Sequence, residues 1–275
     1  MSTPSRTIGV FDSGFGGLTV LRALLPLIPN AHYLYLGDTA RLPYGAKSQT
    51  TIARYAVESA RFLEDNGADR LVIACNTATA LALPDIIDAT GVPVTGVILP
   101  GAEAAKAVAE NAIDVLVLAT AATVSSHAYR DTAATLGLQA HEKACPLLVP
   151  LVEEGWTNHP VLFDVIRIYL REALDEMSAL GRTPAAVLLG CTHYPLIAEP
   201  IQRILRELGS SAIVVDSADA TAHAVTTAMQ LTPSPQPSNA SFTCYATDSV
   251  EKFARLGSLF LQQPIAEVRL LDLGG

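Results

Sequence analysis

The chain has 275 residues, half of them apolar, with only 16% charged and a mean hydropathy of +0.33, enough apolar material for a large core in one or two domains. A net charge of −9 and the lack of any Lys/Arg cluster argue against nucleic acid or an anionic membrane surface as a partner. No apolar run approaches the ~20 residues of a membrane span, and residues 1–6 lack a signal-peptide profile, so the expected location is cytoplasmic.

The elements alternate from the start. Residues 8–13 form an apolar strand, Gly14, Gly16 and Gly17 a tight turn, and 18–28 a helix stopped by Pro29-Asn30. A strand over 32–36 ends at Gly37-Asp38, and a loop over 39–47 carries Pro43-Tyr44-Gly45. Ser48 is a good N-cap for a helix closed by Gly67. A strand at 70–74 leads to Cys75-Asn76-Thr77, then two helical pieces, 77–83 and 84–90, and a strand at 92–98. Uniformly apolar strands alternating with helices indicate a parallel sheet covered on both faces.

A second run repeats the scheme. It has a helix at 101–111, a strand at 114–119 reaching Thr120 and Thr123, a helix at 126–136 and a strand at 138–144 reaching Cys145-Pro146. Beyond Pro150, Val152 and Glu153 come a long helix at 158–180, a buried strand at 185–191 and a helix at 195–208. Landmarks recur in the same order in both runs, which predicts two similar α/β lobes, 1–98 plus 212–275 and 99–211. The remainder reads as a strand at 213–217, a helix at 218–231, a Pro/Ser-rich loop at 232–239, then strand, helix and strand at 242–246, 249–261 and 265–271.

In such sheets ligands sit beyond the carboxyl ends of strands, where Asp12-Ser13, Asp38 and Cys75-Asn76-Thr77 fall. The glycine turn with Asp38 echoes a dinucleotide fingerprint, but the third glycine position is occupied by Thr19, so the motif is incomplete. The four cysteines, Cys75, Cys145, Cys191 and Cys244, contain no C-x-x-C pair, and neither a disulfide framework nor a metal site is expected. Cys145 and Cys244 lack a polar turn and read as structural.

Cys75 and Cys191 each end an apolar strand before a helix, a setting that favours thiolate. Asp12 could relay a proton to Cys75, and His193 lies two residues from Cys191. Two acid/base thiols on opposite lobes suit removal of a proton from carbon by one and its return on the opposite face by the other. Ser13, Asn76, Thr77, Thr120 and Thr192 add uncharged donors for carboxylates. Thr77 and Thr192 read equally well as helix caps.

These stretches together, from Asp12-Ser13-Gly14 through Gly37-Asp38, Pro43-Tyr44-Gly45, Cys75-Asn76-Thr77 and Thr120 to Cys191-Thr192-His193-Tyr194-Pro195, resemble the glutamate racemases of the aspartate/glutamate racemase superfamily. They span most of the chain in the family's order. Aspartate racemases carry a different residue set after the second cysteine. The resemblance implies two α/β lobes, each a mostly parallel sheet flanked by helices, with the active site in the cleft between them.

It also implies Cys75 and Cys191 as catalytic acid/bases assisted by Asp12 and His193. Asp12, Ser13, Pro43, Tyr44, Gly45, Asn76, Thr77, Thr120, Thr192 and His193 would bind L- or D-glutamate, with Asp38, Thr123 and Glu153 in support. It implies supply of D-glutamate for peptidoglycan, no pyridoxal phosphate, metal or nucleotide cofactor, and a possible homodimer. Action on aspartate or a related acid, and a non-catalytic two-lobed amino-acid sensor, are the competing readings.

Overall fold

The computed structural model describes residues 6–231 and 240–274. The loop expected at 232–239 lies outside the described residues. The chain divides into two compact units, Met1–Val97 with Thr221–Gly275, and Ile98–Ala220.

The first unit opens with β1 (Arg6–Asp12), α1 (Leu18–Leu27), β2 (Ala31–Gly37), α2 (Gln49–Asp65), β3 (Arg70–Ile73), α3 (Asn76–Ala89) and β4 (Val94–Gly96). The chain then passes into the second unit: α4 (Ile98–Ala109), β5 (Asp114–Ala119), α5 (Ala121–Ser126), α6 (Ala128–Thr135), β6 (Gln139–Ala144) and α7 (Leu148–Glu153). That unit continues with α8 (Pro160–Ala179), β7 (Ala186–Gly190), α9 (Ala198–Glu207), β8 (Ile213–Asp216) and the start of α10 (Ser217–Ala228). The return to the first unit adds β9 (Ser241–Ala246), α11 (Val250–Leu261) and β10 (Val268–Leu270).

Each unit is built on a parallel sheet, in the orders β10-β9-β2-β1-β3-β4 and β6-β5-β7-β8. The series β2-β1-β3-β4 and β6-β5-β7-β8 are the same topology met twice, which is the expected pair of similar α/β lobes. The strands are apolar because helices cover both faces: β7 is buried at all five positions, and β1 over its last five. The edge strand β6 departs from this pattern. Its Lys143 pairs with Glu172 and Glu176 of α8, and His141 also contacts Glu176. Charge on an edge discourages pairing with another sheet.

Several boundaries differ from the sequence expectation, each for a local reason. The strand expected to open the returning part of the first lobe at 213–217 is β8, which pairs with β7 in the second sheet. The return therefore falls at Thr221, inside α10, rather than near 212. The two helical pieces expected around Pro84 form one helix, α3, because Ala78, Ala82 and Ile86 keep one buried stripe running past the proline. Conversely, the helix expected at 126–136 is broken at His127, which adopts a left-handed conformation (φ 58°) between α5 and α6. The segment with Pro150, Val152 and Glu153, for which no element was expected, is the short helix α7.

The glycine turn after β1 serves close packing. A Cβ on Gly17 would lie 2.6 Å from the Asp12 Cβ and 2.8 Å from that of Ala74. At the end of β2, a Cβ on Gly37 would drive into the Gly14 carbonyl and lie 2.6 Å from the Phe253 ring. The Gly14 carbonyl is itself held by the Tyr35 hydroxyl, which donates to it at 3.0 Å. Because a backbone carbonyl cannot rotate aside as a side chain can, Gly37→Ala is expected to lower unfolding stability by about 1–3 kcal/mol, as overpacking of a core does. A denaturant midpoint unchanged from the parent protein would contradict this packing argument.

Candidate active site

In a sheet ordered 2-1-3-4, the connections leave in opposite directions from the two central strands, and the carboxyl ends of those strands frame a crevice. In the first unit the middle pair of that series is β1 and β3, which lead to Asp12-Ser13 and to Cys75. In the second it is β5 and β7, which lead to Thr120 and to Cys191. The duplicated topology thus places a cysteine beyond the third strand of each unit.

Cys75 is the N-cap of α3. Its sulfur accepts the Ala78 N–H at 3.4 Å, in place of the oxygen a Ser or Asp would supply. The thiol lies 3.5 Å from Ser13 Oγ. Asp12 is buried and accepts the Gly14 N–H on Oδ2 at 2.9 Å. Burial, reinforced by the nearby Asp12 carboxylate, pushes the Cys75 thiol up to about 12, against the opposing pull of Ser13 and the Ala78 N–H. Asn76 and Thr77 form the buried first turn of α3. Thr77 therefore lies within the helix, and the cap it was weighed for is the cysteine.

The loop after β2 holds Pro43, Tyr44 and Gly45. The Leu42–Pro43 peptide is cis, and Tyr44–Ala46 forms a 3₁₀ turn. Pro43 and Gly45 are exposed, but Tyr44 is buried with its hydroxyl donating to Asp38 Oδ2 at 2.5 Å. Burial and the Asp38 carboxylate raise the Tyr44 pKa far above its usual value. The phenol faces inward, onto the buried Asp38 carboxylate.

In the second unit, Cys191 begins a turn in which the Tyr194 N–H donates to the Cys191 carbonyl at 3.1 Å. The Tyr194 hydroxyl donates to the Cys145 carbonyl, also at 3.1 Å, and so ties the turn to the end of β6. His193 lies with Nδ1 3.8 Å from Cys191 Sγ and 3.4 Å from Thr192 Oγ1. Its Nε2 is 3.3 Å from Glu153 Oε1 at the end of α7. Burial disfavours the imidazolium, but Cys191 and Glu153 outweigh it and raise His193 to about 10. Thr120 caps α5 by accepting the Thr123 N–H at 3.4 Å, and the two hydroxyls are 3.0 Å apart.

Cys145 and Cys244 are fully buried, and burial pushes both thiols up to about 12. Sequence reading passed over Arg41 and Thr247, both of which contact Asp38. Arg41 lay inside a loop with no periodicity, and Thr247 is reached only when β9 returns beside β2.

The geometry at Cys75 has a direct pH consequence. A thiol held protonated by burial gains thiolate only as pH rises through its raised pKa, so alkylation of Cys75 in substrate-free protein should keep accelerating up to about pH 12. A rate that levels off near the ordinary thiol pKa of about 8.5 would contradict that assignment.

The chain is similar to known proteins along its whole length. Residues 15–225 match the family model described as Asp/Glu/Hydantoin racemase. A curated glutamate racemase from Koribacter versatilis is 48% identical over 298 aligned residues, covering 100% of both chains. Among solved structures, glutamate racemase from Francisella tularensis in complex with D-glutamate aligns over 98% of each chain, with a TM-score of 0.84 and 33% identity. The Thermus thermophilus glutamate racemase in complex with beta-chloro-D-alanine aligns over 99% of each chain, with a TM-score of 0.84 and 39% identity. Two parallel α/β units with a cysteine beyond the third strand of each, and this breadth of similarity, establish that the chain belongs to the Asp/Glu/hydantoin racemase family of isomerases.

Proposed function

We propose that this protein interconverts L- and D-glutamate without a cofactor, using Cys75 and Cys191 as an acid/base pair. The observation that carries this reading is the recurrence of a cysteine at the same topological position in both units, each beside further acid/base groups. Asp12 and Ser13 accompany Cys75. His193 and Glu153 accompany Cys191. The glutamate racemases among its relatives, one of them solved with D-glutamate, support glutamate as the substrate.

In the proposed reaction one sulfur takes the α-proton as thiolate while the other, as thiol, delivers a proton to the opposite face of the planar carbanion. Inversion follows because donor and acceptor approach from opposite sides. In the reverse direction the two sulfurs exchange roles. Asp12 and His193 assist by moving protons to and from their neighbouring sulfurs. Cys191 and Glu153 hold the neighbouring His193 in its charged form, while Cys75 in the substrate-free state is a thiol.

Ser13, Asn76, Thr77, Thr120 and Thr192, with the amides at Tyr44 and Gly45, would receive the substrate's carboxylates and ammonium. Pro43 shapes the loop, and Asp38, Thr123 and Glu153 support these groups. The reaction would supply D-glutamate for peptidoglycan synthesis in the cytoplasm, by a protein acting alone or as a homodimer, with neither nucleic acid nor membrane as partner. Among the described residues, no helix is long and apolar enough to cross a membrane.

Removal of either acid/base group from such a pair is expected to cost about 10²–10⁴-fold in turnover. Cys75→Ala and Cys191→Ala should therefore each slow D-glutamate formation from L-glutamate by such a factor while retaining the parent circular dichroism spectrum. Near-normal turnover by either variant would remove that cysteine from the mechanism. Parallel assays with aspartate settle the substrate: faster turnover of aspartate than of glutamate would replace the proposed specificity, and binding of glutamate without any racemisation would identify a sensor.

A further inference from the structure

The carboxylate of Asp38 is fully buried, and a charge in that setting requires partners. Three side chains donate to it. Arg41 Nε lies 2.9 Å from Oδ1 and 2.8 Å from Oδ2, the Thr247 hydroxyl donates to Oδ1 at 2.9 Å, and the Tyr44 hydroxyl donates to Oδ2. Arg41 extends the network to α2, where Nη1 pairs with Glu58 and the guanidinium lies 4.2 Å from the centre of the Tyr55 ring.

Thr247 anchors the opposite side. Its hydroxyl also accepts the Ala40 N–H at 2.9 Å. Next to it, the Thr39 hydroxyl donates to the Asp248 carbonyl at 2.6 Å and accepts the Asp248 N–H at 2.9 Å. The loop that carries Tyr44 and Gly45 is thus fixed from α2, which follows it, and from the turn after β9, which is distant in sequence, and its central tie is the phenol on Asp38. Since that phenol faces inward, its anchor sets where the neighbouring amides lie.

We propose that Arg41 and Thr247 are positioning residues for substrate binding, acting through Asp38 and the Tyr44 hydroxyl to hold the Tyr44-Gly45 amides where a carboxylate of glutamate is received. The inference rests on the reading that this chain racemises glutamate with this loop at its site. Neither residue is assigned to the reacting carbon. An amide that holds substrate and transition state equally affects KM and leaves kcat alone.

The test measures kcat and KM for D-glutamate formation by the parent protein and by Thr247→Val, Thr247→Ser, Arg41→Lys, Tyr44→Phe and the Thr247→Val/Tyr44→Phe double variant. Loss of one hydrogen bond to a buried carboxylate should raise KM by roughly 5–20-fold in Thr247→Val, with kcat within about twofold. Arg41→Lys, which cannot span both Asp38 and Glu58, should shift KM in the same direction. Thr247→Ser should restore KM to within about twofold of the parent, because the hydroxyl is retained. The double variant should be no worse than about twofold beyond the poorer single variant, since both changes cut one network.

A loss confined to kcat, a failure of Thr247→Ser to rescue, or KM effects that multiply in the double variant would each overturn the inference. If Thr247→Val does not fold, Arg41→Lys and Tyr44→Phe carry the same expectation, and an unchanged KM in both overturns it. A parent protein without glutamate racemisation would instead overturn the functional reading beneath it. A racemising parent with Thr247→Val and Arg41→Lys indifferent would overturn the positioning roles alone.

Discussion

A helix leaves its first backbone N–H groups without partners inside the helix, and the residue before it must answer them. At the start of α3 that residue is Cys75, whose sulfur accepts the Ala78 N–H. The side chain that begins the helix is therefore the side chain proposed to exchange a proton with substrate. Its direction is set by the helix and its depth by β3, so the sulfur cannot be re-aimed without disturbing both. The same hydrogen bond favours thiolate, and it does so at a site where burial opposes charge.

That opposition is resolved differently in the two units. Around Cys75 burial and the Asp12 carboxylate dominate, and the thiol stays protonated. Around Cys191 the neighbouring base is drawn into its charged form instead: Cys191 and Glu153 together hold His193 at about 10 despite its burial. In the proposed chemistry one sulfur must begin as acid and the other as base. The resting protein is biased toward thiol in the first unit and toward a sulfur beside imidazolium in the second.

Much of this was legible in the sequence because parallel strands are uniformly apolar and end in polar turns. The strands over 8–13, 70–74 and 114–119 announced themselves by composition, and the repeated order of landmarks anticipated two similar lobes, though not the strand order they share. The turns at Cys75-Asn76-Thr77 and Cys191-Thr192-His193 could be read as a pair because each follows such a strand. Periodicity was less informative where a single residue overrides it. Pro84 did not end α3, whose buried stripe continues past it, and His127 broke α5 from α6 through a backbone conformation that composition does not reveal. Pairing partners were the hardest to foresee. Nothing local told that β8 would join β7, or that Thr247 would close on Asp38 across 209 residues of chain.

The central claim is that two sulfurs handle two different protons, one removed and one delivered. Racemisation run in heavy water from each enantiomer tests it most directly, with the label at the α-carbon followed from the earliest product. The account predicts that every product molecule carries deuterium from its first appearance, since its new hydrogen comes from a thiol already exchanged with solvent. Product that retains the original proton would mean that a single group carried it across the carbon, and the pairing of Cys75 with Cys191 would fall.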